Sequence, residues 1–426
     1  MRTFLIIWFG QLISLFGSQL TSFALGIWVY QNTGSVTQFA LISFFATLPG
    51  LVISPLAGAL VDRWDRRNAM IISDSVAGLS TFSIGLLLLI GQLQIWHIYL
   101  AITISSISSA FQWPAYGAAT TLLVPKKHLS RASGMNQLSE AFARLLSPLF
   151  GGFLVILIQI QGVILLDLAT FLFALVTLLI VKIPKPKTTV AGKLGKGSLL
   201  KESTYGWRYI QARPGLMGLL IFFSISNFAV STAEVLSTPL ALSFTSVNVL
   251  GMVLSIGGSG MLIGSIVISI WGGPKRRIYG VLGSELLLGV SIFLLGIQTS
   301  VILMTFGCFI AFCTIPISQA SSNAIWQTKV APDVQGRVFA IRTMFAWSSR
   351  PLAYLFAGPL ADRIFEPLMA VNGPLAGSIG KVIGTGPGRG IGLIFILMGS
   401  LIVLSAIIAY KYKPLRLVES KLPDFK

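Results

Sequence analysis

Apolar residues along this chain come in long runs rather than in alternation. Ser83–Ile90 and Ile391–Ala409 are near-continuous apolar stretches. In other runs the polar residues recur at three- and four-residue spacing. A membrane β-strand would alternate over about 10 residues, whereas a spanning helix needs roughly 20 predominantly apolar positions. On that reading the chain contains twelve spans, at 4–30, 38–61, 69–90, 97–120, 132–158, 162–181, 215–238, 248–271, 278–297, 300–325, 338–361 and 390–410. The first follows only Arg2, is too long for a signal-peptide core and has no cleavage site after a short apolar region, so it reads as a retained helix. The longest polar interval follows Ile183. It carries Pro184 and Pro186 and then a basic amphipathic stretch, Leu199–Ala212, with Trp207 and Tyr209, suited to lying on a membrane face. The expected fold is an all-α integral membrane protein with twelve transmembrane helices in two six-helix bundles. Residues 1–182 form the first bundle, 183–213 a cytoplasmic linker with an amphipathic helix, and 214–426 the second bundle with a cytoplasmic tail. Two halves joined this way are the layout of a transporter built from repeats.

Composition agrees. Of 426 residues, 54% are hydrophobic and 10% charged, with mean hydropathy +0.84. A soluble domain carries about 25% charged residues, so a soluble enzyme, a disordered chain and a fibre are excluded. The net charge of +18 would suggest nucleic acid in a soluble protein. Its distribution says otherwise. With the N-terminus inside, 25 of the 31 lysines and arginines fall in inner segments. Three, Arg363, Lys381 and Arg389, fall in the last outer loop, and Arg144, Arg342 and Arg350 fall within spans. That is a positive-inside signal and an attraction to anionic lipid. It places both termini in the cytoplasm of a multi-pass protein of the plasma (inner) membrane, with the lipid bilayer as partner and no nucleic acid.

Candidate chemistry is sparse. Cys308 and Cys313 lie about 140° apart around a helix, which excludes a disulfide framework and suits inert packing. His97 and His128 flank one span, so no metal centre is expected. The segment Ala191–Ser198 lacks the Lys-Ser/Thr of a P-loop, and the glycine run Gly384–Gly392 lacks a strand–turn–helix context. No cofactor and no enzymatic site are expected.

Polar stripes on apolar helices are more informative. At 100° per residue, Gln11, Ser14, Ser18 and Ser22 share one face of the first span. Ser105, Ser108, Ser109, Gln112 and Tyr116 share a face of the fourth. Gln137, Glu140, Arg144, Ser147 and Gly151 share one of the fifth, and Ser224, Asn227, Ser231, Glu234 and Thr238 one of the seventh. Such faces turn toward other helices or a water-filled pathway. Glu140 and Arg144, one turn apart, are placed to neutralise each other. Glu234 has no basic residue within a turn and is the first candidate for a proton or cation site. Asp74 and Asp167, near helix ends, read as caps or inter-helix partners, and Glu285 lies in the ninth span.

At the end of the second span stands Gly58–Arg67, G-A-L-V-D-R-W-D-R-R. Its glycine permits close packing, Asp62 ends the helix facing the positive N-terminus of a neighbour, and Arg63, Arg66 and Arg67 anchor a tight loop. This G-x-L-x-D-R-x-x-R-R pattern resembles the signature loop of the major facilitator superfamily, with Asp65 where glycine is usual. Its D-R-x-D-R-R form resembles the branch of macrolide-efflux proteins and siderophore exporters. Trp8–Ser18, Asn32–Ser35, Ser147–Gly152, Val334–Phe339 and Gly358–Ile364 agree with that branch. The chain departs from it at Ser105, where many members have arginine, at Ser18, where some have an acid, and at Ser147, where glycine usually precedes Pro148.

The resemblance implies the major facilitator fold and alternating access, usually driven by proton antiport. It also implies a gate-latching contact from Asp62 to the start of the eleventh span near Arg337. The functional expectation is a monomeric secondary transporter exporting a bulky, partly apolar small molecule: a drug, a macrolide-like compound, or a siderophore or peptide natural product. Protons are the expected counter-ion. A lipid or lysolipid transporter of the same fold is the alternative, and a polytopic membrane enzyme a weaker one. Single-cysteine labelling at Lys193 and Gly377, in a background lacking Cys308 and Cys313, tests the orientation. An impermeant reagent applied to intact cells is expected to label Gly377 and spare Lys193.

Overall fold

The structure is a computed structural model and describes residues 2–61, 64–125, 129–181, 207–330 and 335–423. Among them the chain forms twelve helices of 21 residues or more and no strand. They are α1 (Arg2–Thr33), α2 (Val36–Val61), α3 (Arg66–Leu89), α4 (Ile95–Leu123), α5 (Leu129–Leu157), α6 (Gln159–Ile180), α7 (Pro214–Leu242), α8 (Val247–Trp271), α9 (Arg277–Ile297), α10 (Val301–Lys329), α11 (Gln335–Leu360) and α12 (Arg389–Lys411). Ten are long and apolar enough to cross a membrane. The other two are α4 and α11. Serines, Gln112 and Pro114 dilute the apolar content of α4, and Arg337, Arg342 and Arg350 that of α11. The apolar surface such helices need in a bilayer is present: Val52, Leu79, Ile180, Ile270, Ile302 and Phe306 are all well exposed. In water that much apolar exposure would drive aggregation.

The chain divides into two compact units. One holds Met1–Thr188 with Val247–Ser255, the other Thr189–Ser246 with Ile256–Lys426. Of the expected 183–213 linker, only 207–213 lies within the described residues. In the second unit Trp207 stacks on Phe345 with ring centroids 4.8 Å apart, and Ile210 is fully buried.

In the first unit α1 runs against α6, and glycines seven residues apart let them approach. A Cβ on Gly10 would come within 2.4 Å of Thr177, and one on Gly17 within 2.2 Å of Thr170. Seven residues are nearly two helical turns, so both glycines lie on one seam. The second unit repeats the device between α9 and α12. Gly289 and Gly296 meet Gly392 and Gly399 so closely that a Cβ on Gly296 would lie 2.2 Å from the Gly392 carbonyl. Small residues at a seam let backbones pack where lipid supplies no hydrophobic drive between helices.

After α12 the tail turns back through two short helical turns, Lys413–Arg416 and Val418–Lys421. Leu415 and Val418 bury against Leu216 and Leu219 of α7 in one apolar cluster. Lys329, at the end of α10 and only 3% exposed, donates to the carbonyls of Glu419 and Leu422. The Glu419 carboxylate accepts from the Ile278 backbone N–H at 2.9 Å, which satisfies an otherwise open donor of the first turn of α9. The tail therefore ties α7, α9 and α10 together. Removing residues 412–426 takes two carbonyl acceptors from a buried ammonium, a loss of roughly 1–3 kcal/mol or more for a charged group. Truncation is expected to lower the thermal unfolding midpoint of the detergent-purified protein. Adding Lys329→Met to the truncated chain is expected to restore part of that loss, as followed by fluorescence.

Candidate functional site

The turn between α2 and α3 carries the arginine-rich motif. Asp62 and Arg63 lie outside the described residues, as does the side chain of Arg337. The described part is built around two caps. The Asp65 carboxylate accepts from the Arg67 and Asn68 backbone N–H groups, an N-cap for α3. The Arg67 guanidinium donates from Nε to the Leu178 carbonyl at 2.9 Å and from Nη2 to the Leu179 carbonyl at 2.6 Å. A cation on the last carbonyls of α6 satisfies open acceptors and meets the negative end of the helix dipole. The usual glycine of the signature loop would not cap α3, so Asp65 substitutes a cap for a turn. Arg66 is half-buried, and Trp64 stacks on Phe111 with centroids 6.0 Å apart.

Three acids sit within the helices in a shared register. Asp74 is the ninth residue of α3, Asp167 the ninth of α6 and Glu285 the ninth of α9. The ninth residue of α12 is Leu397. In transporters built from six-helix halves with nested three-helix repeats, the third helix of each repeat is equivalent, so three of four such helices here place an acid at one equivalent point. Each is held across a helix interface. Gln11 Nε2 on α1 donates to Asp74 Oδ2 at 2.9 Å, and Gln112 Nε2 on α4 donates to Gln11 Oε1 at 3.1 Å. Ser18 on α1 donates to Asp167 Oδ1 at 3.2 Å. Ser226 on α7 and Ser318 on α10 donate to Glu285 Oε2 and Oε1 at 2.5 and 2.6 Å. Asp167 is 3% and Glu285 4% exposed. An acid in mid-span costs roughly 2.5–3.5 kcal/mol on insertion scales, and hydroxyl or amide donors offset part of that. Asp74 and Asp167 are thus inter-helix partners rather than caps. Glu285 had no distinguishing neighbour in sequence. The signal that singles these acids out is their distance from the start of every third helix, which needs accurate helix starts.

The remaining stripe residues divide by exposure. On α1, Ser18 and Ser22 are exposed and Gln11 and Ser14 half-buried. On α4, Ser105 and Gln112 are half-buried and Ser109 exposed, whereas Ser108 is buried. Tyr116 is also buried and donates its hydroxyl to Asn136 Oδ1 on α5 at 2.9 Å. On α7, Ser224, Asn227 and Thr238 are half-buried, Ser231 is 1% exposed, and Glu234 is exposed. On α5, Glu140 is half-buried and Arg144 exposed, with no ion pair between them; the Gln137 side chain lies outside the described residues. Gly151 lies against the Phe23 ring of α1. Among the described residues no group of three His, Cys, Asp or Glu is placed to hold a metal.

Twelve long helices, repeat-registered acids and a capped arginine loop now stand together, and the family model for the Major Facilitator Superfamily matches residues 7–354. The chain belongs to the major facilitator superfamily. Macrolide efflux protein A of Streptococcus pyogenes is 27% identical over 373 residues, covering 85% of this chain and 90% of that protein. The multidrug efflux pump Tap of Mycolicibacterium fortuitum is 23% identical over 369 residues, covering 84% and 89%. Among solved structures, a bacterial homologue of the human lysosomal transporter Spinster superposes with a TM-score of 0.73 at 14% identity, covering 99% of this chain and 98% of that one. A D-xylose–proton symporter superposes with a TM-score of 0.65 at 15% identity, covering 98% of each. The protein is a multi-pass membrane transporter.

Proposed function

We propose that this transporter exports a bulky, partly apolar small molecule bearing a basic amine, of macrolide-like size, by alternating access coupled to proton antiport. The observation that carries the reading is likeness to macrolide efflux protein A over 85% of the chain. The polar faces of α1, α4 and α7 supply hydroxyl and amide groups on otherwise apolar helices. Such a mixture suits a cargo of large apolar area with scattered polar groups. Glu234 is an exposed carboxylate within α7 and serves as the counter-charge for the cargo amine. Glu140 and Arg144 on α5 form the second charged locus. Asp62, on the Gly58–Arg67 loop, is the gating residue of this reading. Both termini face the cytoplasm of the plasma membrane, and the protein works as a monomer.

Expression in an efflux-deficient bacterial host tests this. Erythromycin, whose sugar carries a dimethylamino group, is the probe. Resistance is expected to rise above that of the empty host. Glu234→Gln is expected to raise KM roughly tenfold, the loss of about 1.4 kcal/mol, with less effect on an uncharged macrolide. Unchanged susceptibility at normal expression, or movement of fluorescent lysolipid in place of erythromycin, would refute the cargo class.

A further inference from the structure

Glu285 differs from its two repeat-related counterparts in how it is held. Asp74 takes a hydrogen bond from an amide nitrogen, which only donates and must flip end for end to accept. Asp167 has the Ser18 hydroxyl at 3.2 Å and the Thr21 hydroxyl beside it, both from α1. Glu285 has a hydroxyl on each oxygen, at 2.5 and 2.6 Å, from two different helices. A hydroxyl both donates and accepts, and its proton turns freely about the Cβ–Oγ bond. When Glu285 is charged, both hydroxyls donate to it. When it is protonated, its own O–H donates to one serine oxygen. That serine's own proton then turns away from the carboxyl. The exchange needs a hydroxyl proton to rotate rather than a side chain to flip end for end.

The surrounding charges leave this site to itself. On its own helix stand Arg277 and Tyr279. Arg277 donates to the Ala324 carbonyl and Tyr279 lies beside Tyr410 of α12. On α10 are Cys308, Cys313 and Lys329, the last engaged with tail carbonyls. On α12, Arg389 donates to the carbonyls of Ile297 and Ile383, and Lys411 closes the helix. Lys381 lies in the short turn Gly380–Ile383 that packs on α9, and Glu419 and Lys421 lie in the tail. Glu234 on α7 is exposed. Arg342 of α11 is half-buried, bonds Ser322 at 3.3 Å and lies over the Trp326 ring, one and two turns along α10 from Ser318. Among the described residues, the side chains that bond the carboxyl are Ser226 and Ser318.

We propose that Glu285, with Ser226 and Ser318, is a proton-binding site of the second unit, built to carry a proton in one stage of the transport cycle and release it in another. Binding forms an O–H bond between a proton from water and a carboxylate oxygen lone pair, and release returns that proton to water. Asp74, held by an amide donor, and Asp167, whose hydroxyls come from α1 alone, stay structural. This rests on proton-coupled export for its role in transport, but proton binding itself is measurable without cargo.

The test uses the full-length protein in lipid nanodiscs and in proteoliposomes. An infrared difference spectrum between acid and alkaline buffer is expected to contain the C=O stretch of a buried carboxylic acid. That band disappears in Glu285→Gln, persists in Asp74→Asn and Asp167→Asn, and changes frequency in Ser226→Ala and Ser318→Ala. The serine variants keep the carboxyl, so they inform even if Glu285→Gln does not fold. In proteoliposomes Glu285→Gln is expected to keep erythromycin counterflow and to lose most of the accumulation driven by a pH gradient. If wild type moves no erythromycin, the cargo reading fails and the infrared result still decides the site. A band that survives in Glu285→Gln and is unmoved in both serine variants would overturn the assignment. So would wild-type accumulation by Glu285→Gln under the gradient.

Discussion

A bilayer core offers no hydrogen-bond partner, so every polar group within a span must find one inside the protein. The rest of the structure follows from that constraint. Backbone donors and acceptors are used up in helices. Serine and threonine hydroxyls in the spans turn back onto carbonyls three or four residues earlier, as Thr120 does to Tyr116 and Ser405 to Ile402. The groups that cannot be satisfied within their own helix are the ones that join helices. Gln11 bridges α3 and α4, Ser18 reaches α6, and Ser106 of α4 ties to the Ala46 carbonyl and the Gly50 N–H of α2. Polar side chains at these points therefore set helix register, while the glycine seams of α1–α6 and α9–α12 set the distance at which it is read.

The same constraint gives the acids their significance. Glu234 is exposed, whereas Glu285 meets only what its neighbouring helices present. Repetition of the three-helix unit puts Asp74, Asp167 and Glu285 at one equivalent point, yet the donors around each differ. The position is shared and the surroundings differ, so equivalent acids stand in chemically distinct settings.

Much of this was legible in the sequence, because the strongest signals are local. Long apolar runs predict the helices, and their ends fall within a few residues of those observed. The D-R-W-D-R-R loop predicts the family, and the family model confirms it. Other features depend on distant residues and could not be read from spacing. Arg67 looked like a loop anchor, but its acceptors are carbonyls of α6 more than a hundred residues away. Lys329 looked like a positive flank of a span; it is buried under the tail. Asp74 sits only six residues into its sequence-derived span and so read as near a helix end. The true start at Arg66 moves it to the ninth residue of its helix, the register it shares with the other two acids.

The central claim is that export of an amine-bearing, macrolide-like cargo is driven by the proton gradient through this chain alone. Uptake of radiolabelled erythromycin into inverted membrane vesicles, energised by respiration without added ATP, tests it most directly. Respiration acidifies the lumen of such vesicles, and antiport lets a proton leave the lumen as a cargo molecule enters, so accumulation should appear only in vesicles bearing the protein. It should collapse when nigericin removes the pH gradient and persist in sodium-free buffer. Accumulation that survives loss of both the pH gradient and the membrane potential, or that requires sodium, would contradict the account.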